Sequence, residues 1–128
     1  MIFVDTNYFL RFLLADNLPQ YTHAKELITQ ASEGKKEIFT SLVVIFEIYW
    51  VMTSFYQKNK TEIAQILKDI LDLSFISLKE RKVLQHAVDL YKDSSLDLED
   101  SYNLAYAKNE KASEFRTFDV KLQKMFSK

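Results

Sequence analysis

Cysteine is missing from all 128 residues. Disulfides, thiolate nucleophiles, zinc–thiolate sites and iron–sulfur clusters are therefore excluded. Glycine and proline occur once each, as Gly34 and Pro19. One glycine cannot build a P-loop or a G-x-G-x-x-G turn, so nucleotide cofactors held in those ways are excluded too. The two histidines, His23 and His86, lie too far apart for a local H-x-x-x-H site. No run reaches the roughly 18 apolar residues of a membrane helix. The opening MIFVDTNYFLRFLL is apolar, but Asp5 and Arg11 interrupt it, no basic segment precedes it and no small-residue cleavage site follows. It does not read as a signal peptide, and the expected compartment is the cytoplasm.

An excess of charge is also lacking. Seventeen basic and 18 acidic residues leave a net charge of −1, whereas a protein that coats duplex nucleic acid is usually basic. The distribution is uneven: residues 108–128 hold six basic and three acidic side chains. That tail reads either as a local basic patch or as a solvated helix face. With 48% hydrophobic and 27% charged residues, the profile is that of one ordinary globular domain, 1–128. What remains for chemistry is carboxylates and hydroxyls.

Short β-prone runs alternate with amphipathic stretches. Ile2–Val4 predicts a first strand, stopped by Asp5-Thr6-Asn7, and Tyr8–Leu14 a helix. Asp16–Pro19 is a turn, Tyr21–Ser32 a helix ended by Gly34, and Glu37–Thr40 a second strand. Ser41 caps a long apolar helix running to about Tyr56, and Thr61 caps the next, with Ile63, Ile66, Leu67, Ile70 and Leu71 on one stripe. Phe75–Ser77 is a third strand, Leu78–Tyr91 a helix, and Ser94–Asp97 a turn and cap for Leu98–Lys108. Glu114–Thr117 predicts a fourth strand, and Asp119 caps a final helix. Strand–helix alternation implies an α/β domain with a parallel sheet, whose ligands bind beyond the carboxyl ends of the strands.

Carboxylates fall on that edge. Asp5 follows the first strand and reads as a helix cap or a functional group; Thr6 or Asn7 serves equally well as the cap. Glu47 interrupts Leu42–Met52 with Val43, Val44, Trp50 and Val51 at helical spacing. It marks either an exposed stripe or a cleft that supplies its cation. Asp97 and Asp100, at i and i+3, share one face of a helix start, a place acids favour through capping and the macrodipole. Asp119 follows the fourth run and is again a natural cap. Gathered carboxylates repel unless a cation neutralises them. Oxygen ligands without His or Cys suit magnesium or manganese, which activate water and stabilise the leaving oxygen of a phosphodiester. The 18 aromatic residues offer base-stacking surfaces, but most sit at helical spacing beside aliphatics and read as core.

These segments resemble a known family. Ile2-Phe3-Val4-Asp5-Thr6-Asn7 followed by Phe9-Leu10-Arg11 is similar to the start of PIN domains, specifically the VapC-type toxins of toxin–antitoxin pairs. Ser41–Met52 with Glu47, Asp97–Ser101 with Ala105 and Ala107, and Thr117-Phe118-Asp119 resemble the second, third and fourth motifs, in order along nearly the whole chain. One departure is Ser101, where members often have Ala. The resemblance implies a three-layer α/β/α fold with a short, mostly parallel sheet of four strands, or five where members continue past the last helix; this sequence ends at Lys128. It implies that Asp5, Glu47, Asp100 and Asp119 surround Mg2+ or Mn2+, with Thr6, Asn7, Asp97 and Thr117 orienting them. It further implies endoribonuclease activity on tRNA or rRNA, a cognate antitoxin that inhibits by placing a basic side chain at the acids, and a homodimer paired through helices. The apolar surface between the early helices and the Ile63–Leu71 helix is then the groove for the antitoxin segment, and Trp50, Phe55 and Tyr56 lie near it in sequence. Two other readings remain: a PIN-like module that binds RNA or protein without cutting, which retention of all four acids disfavours, and a receiver-type phosphoacceptor domain, which leaves Glu47 unexplained.

Overall fold

The computed structural model describes residues 1–128. Three strands of two residues each, β1 (Ile2–Phe3), β2 (Ile38–Phe39) and β3 (Ile76–Ser77), form a parallel sheet in the order β1-β2-β3. Ile2 pairs with Ile38 and Ile38 with Ile76. Parallel neighbours need long crossovers. Here α1 (Thr6–Leu14) and α2 (Leu18–Ser32) make the first, and α3 (Leu42–Ser54) and α4 (Lys60–Leu71) the second. Helices α5 (Arg81–Asp93), α6 (Leu98–Asn109) and α7 (Val120–Ser127) follow. No helix is long and apolar enough to cross a membrane.

The period of two along each strand decides which face is covered. Val4, Ile38, Thr40 and Ile76 are buried in the main core with Phe9, Ile45, Ile48, Met52, Leu67, Leu84 and Leu98. The alternate positions Phe3, Phe39 and Ser77 face an open groove of about 600 Å3, lined also by Met1, Leu42 and Leu78. Thr40 fixes the carboxyl end of β1: its hydroxyl donates to the Val4 carbonyl at 2.8 Å, buried from water.

Helix α2 begins at Leu18, capped by Asn17, where the sequence reading had a turn through Pro19 and a helix from Tyr21. Four other differences from the sequence reading have a local reason. The fourth strand is not formed, and the sheet has three strands rather than four or five. No backbone group of residues 113–118 joins a ladder. Glu114 and Arg116 pair with each other at 2.9 Å, Phe115 packs on Phe126, and the Thr117 carbonyl accepts from Gln123. The segment packs on α7 instead of extending the sheet, and Thr117 bonds Asp119 and Gln123 at the start of that helix. Second, α4 is capped by Asn59, not Thr61, through a reciprocal capping box with Glu62. Third, α5 begins at Arg81 rather than Leu78, because the Arg81 guanidinium turns back to the carbonyls of Leu71 and Ile76. Fourth, α1 begins at Thr6, with Asp5 itself as its cap.

Removing the Thr40 hydroxyl by Thr40→Val leaves the Val4 carbonyl buried without its donor. Urea unfolding should show a loss of about 1–3 kcal/mol. Asn59→Ala, at an exposed cap, should lose about 1 kcal/mol.

Candidate functional site

Three of the acids singled out in the sequence are helix caps. Asp5 Oδ1 accepts from the Tyr8 N–H at 3.2 Å at the head of α1. Asp97 Oδ1 accepts from the Asp100 N–H at 2.8 Å at the head of α6. Asp119 Oδ1 accepts from Lys121 and Leu122 at 2.9 and 3.2 Å at the head of α7. Each cap satisfies N–H groups that a helix start leaves without partners, and the macrodipole favours the negative charge. Capping occupies one oxygen of each carboxylate. A carboxylate has about four lone-pair directions, so cap and ligand are compatible roles.

Asp100 is different. It sits in the first turn of α6, half-buried, and is not the cap. Partial burial holds its carboxyl above the usual range, and the charges of Asp97, Asp119 and Glu99 push the same way, while Lys121 pulls it down. The structure thus brings Asp97, Glu99, Asp100 and Asp119 within one electrostatic neighbourhood.

Glu47 stands on the exposed stripe of α3. Val44, Ile45, Phe46, Ile48, Tyr49 and Met52 are buried, whereas Val43, Glu47 and Trp50 are exposed at i, i+4 and i+7. Glu47 Oε1 accepts from the Thr6 hydroxyl at 2.9 Å, which ties α3 to the residue after Asp5. Three residues on, the Trp50 indole N–H donates to Glu99 Oε2 at 3.1 Å, which ties the same stripe to the first turn of α6. Beneath it the Tyr49 hydroxyl accepts from the Leu98 N–H at 3.4 Å. Burial raises the Tyr49 pKa, and the Glu99 and Asp97 charges add to that, while the Leu98 bond opposes it. One face of α3 therefore runs from the Asp5 end of β1 to the acids of α6.

Among the supporting residues, Thr6 holds Glu47 and Asp97 caps α6. Thr117 Oγ1 accepts from the Asp119 N–H at 3.0 Å. Asn7 is exposed and lines a cavity beside Asp5. Sequence reasoning missed Glu99, although it lies inside the Asp97–Asp100 motif. Its Oε1 is buried without a hydrogen-bond partner, a state that buried polar atoms rarely keep. Two signals were available: a third acid in one helical turn, and a tryptophan three residues after Glu47.

All these donors are hard oxygens, and Asp5, Asp97 and Asp119 each keep one oxygen outside the cap. That chemistry fits a divalent cation. No three acidic or imidazole side chains stand grouped as a ready-made metal cage. Of the exposed aromatics, Phe3, Tyr8, Trp50, Phe55, Tyr56, Tyr106 and Phe118 lie at the surface; Phe9, Phe46, Tyr49 and Tyr91 are fully in the core. Phe75, Tyr102, Phe115 and Phe126 are half-buried and pack against the two hydrophobic clusters.

The raised Asp100 carboxyl sets a sign. A carboxylate whose folded pKa lies above its unfolded value destabilises the fold where it is ionised. The penalty is full above the folded pKa and fades as pH falls through it towards the unfolded value. Asp100→Asn should therefore melt higher than the parent near neutral pH without metal. The difference should shrink on acidification, as followed by circular dichroism.

A protein-family model described as PIN domain matches residues 2–126. No curated protein and no solved structure matches the chain significantly.

Proposed function

The chain belongs to the PIN-domain family, whose members are generally nucleases that use divalent metals, and from that premise we propose that it is a magnesium- or manganese-dependent endoribonuclease, the toxin of a toxin–antitoxin pair. The observation that carries this reading is the exposed stripe of α3, where Glu47 is bonded to Thr6 beside Asp5 and Trp50 to Glu99 beside Asp100, and the charges of Asp97, Asp119 and Glu99 add to the burial that raises the Asp100 carboxyl. Carboxylates that oppose one another's ionisation are favourable sites for a cation. In this reading Asp5, Glu47, Asp100 and Asp119 hold Mg2+ or Mn2+. The metal supplies Lewis acidity and an activated water for phosphodiester hydrolysis.

The chain's own residues do the positioning. The Thr6 hydroxyl fixes the rotamer of Glu47, the cap bonds fix Asp5 and Asp119, and Asp97 holds the first turn of α6 so that Asp100 is presented from a rigid helix. Trp50 and Glu99 brace α3 against α6. The substrate in this reading is tRNA or rRNA. The partner is an antitoxin whose basic side chain competes with the metal for the same carboxylates by Coulomb attraction. Exposed Trp50, Phe55 and Tyr56 are candidate contact aromatics for the antitoxin segment, and two copies of the chain pair through helices.

Purified protein should cut RNA with Mg2+ or Mn2+ and stop on chelation. Asp5→Asn and Asp100→Asn should abolish cutting and keep the helical circular dichroism spectrum. The same metals should raise the melting temperature by binding only the folded state, and should change the fluorescence of Trp50, the single tryptophan. Sequencing of RNA ends after brief expression identifies the target. Tight RNA binding without metal-dependent cutting would instead establish a non-catalytic module.

Inhibition is tested with an antitoxin whose C-terminal Arg and Lys residues are changed to Ala. Such a variant should bind yet fail to inhibit; full inhibition would refute charge competition. Light scattering should give twice the chain mass.

A further inference from the structure

Beside Asp5, between α1 and α2, lies a cavity of about 300 Å3 lined by Asp5, Asn7, Tyr8, Arg11, Gln20 and His23. It has the volume of the smallest ligand pockets. Its walls are set by helix packing rather than by mobile loops. Phe12 of α1 stacks on Tyr21 of α2 at 6.2 Å and 12°, and Asn17 caps α2 one turn from Gln20.

The lining is unusual for so small a space: one acid, one cation, one aromatic ring and three neutral polar side chains. Arg11 is held in place by Asp16 at 2.8 Å and its side chain is 24% exposed. That bond uses one Nη1 hydrogen, and a guanidinium carries five. The Tyr8 ring is exposed and stacks on no other ring of the chain. Asn7, Gln20 and His23 offer both donors and acceptors. A planar base with a polar edge and an attached phosphate matches this set: the ring for stacking, the guanidinium for phosphate, the amides and imidazole for the base edge. A base-paired nucleotide has its edge and faces occupied and does not match it.

Resting on the nuclease reading, we infer that this cavity is a subsite for one unpaired nucleotide adjoining the scissile bond, with Tyr8 stacking its base, Arg11 holding its phosphate and Gln20 reading its edge. Base preference then arises at one nucleotide position.

The test measures fluorescence anisotropy of labelled unpaired hexaribonucleotides on the full-length Asp100→Asn protein with Mg2+, so that bound RNA stays intact. Arg11→Ala should weaken binding about tenfold or more and lower the slope of log Kd against log salt by about one, as loss of one phosphate contact does. Tyr8→Ala should weaken it roughly five- to hundredfold with that slope unchanged. Tyr8→Phe keeps the ring and should bind like the parent. Gln20→Ala should change the ranking of A, C, G and U at one position. Arg11→Lys retains the charge, so its salt slope should stay at the parent value even if the Ala variant folds poorly. The inference is overturned if unpaired RNA does not bind, or if Tyr8→Ala and Gln20→Ala leave affinity and base ranking untouched, as they would if a protein segment fills the cavity. A protein that cuts RNA with those parameters unmoved lacks the subsite but is a nuclease. A wild type that binds through Tyr8 and Arg11 yet never cuts has the subsite and is not a nuclease.

Discussion

A carboxylate accepting backbone N–H groups at a helix start is the interaction on which the rest of this structure depends. It occurs at Asp5, Asp97 and Asp119, at the heads of α1, α6 and α7. Each bond stabilises its helix, and each also settles where a negative charge stands relative to the sheet. Asp5 follows directly on β1, whose end is pinned by the Thr40 hydroxyl on Val4. Its side chain therefore inherits the rigidity of the sheet. Asp97 does the same for Asp100, because the N–H that it binds is Asp100's own.

Helix α3 joins these charges. Its sequence is apolar almost all round, and a helix so composed is expected to be buried. Six of its residues are. The remaining stripe pairs a charge with a large ring, and both are tied down by side chains of other elements: Glu47 by Thr6, and Trp50 by Glu99. A charged residue in an apolar helix reaches water and a hydroxyl donor here, which removes the desolvation penalty that made it conspicuous in the sequence.

Much of this was legible in the sequence. The caps at Ser41, Asp97 and Asp119 were, because capping depends on two or three adjacent residues. So were the stripes of α4 and α5, whose period needs no partner to be recognised. The fourth strand was not. Phe115 alternates with charged neighbours as a strand residue does, but a strand exists only through its ladder, and the sequence does not show that Phe115 packs on Phe126 of α7 instead. The start of α5 was hidden for the same reason: Arg81 reaches carbonyls 10 and five residues upstream. Of the site, the acids were readable by type and position. Glu99 was readable as a third acid in one turn, but its bond to Trp50 was not, since α3 and α6 are distant in sequence; the cavity at Tyr8, Arg11 and Gln20 was not, since it depends on the angle at which the consecutive helices α1 and α2 pack.

The basic tail bears on the balance of charge at this site. Lys121 lies close enough to lower the Asp100 pKa, and it is one of the caps' own neighbours, two residues after Asp119. It is exposed, so water and salt screen its attraction. Burial and three carboxylates oppose it, and they win: the net shift at Asp100 is upward. Macrodipoles stabilise Asp5, Asp97 and Asp119 only over the first turn, and each contributes about 0.3–1 kcal/mol at an exposed helix start. They hold the individual charges without cancelling the repulsion among them. The field left over is negative and centred where α6 begins. Cations of any kind are attracted to such a field by Coulomb's law. The residue that registers it is Asp100, which, unlike Asp97 and Asp119, caps no helix.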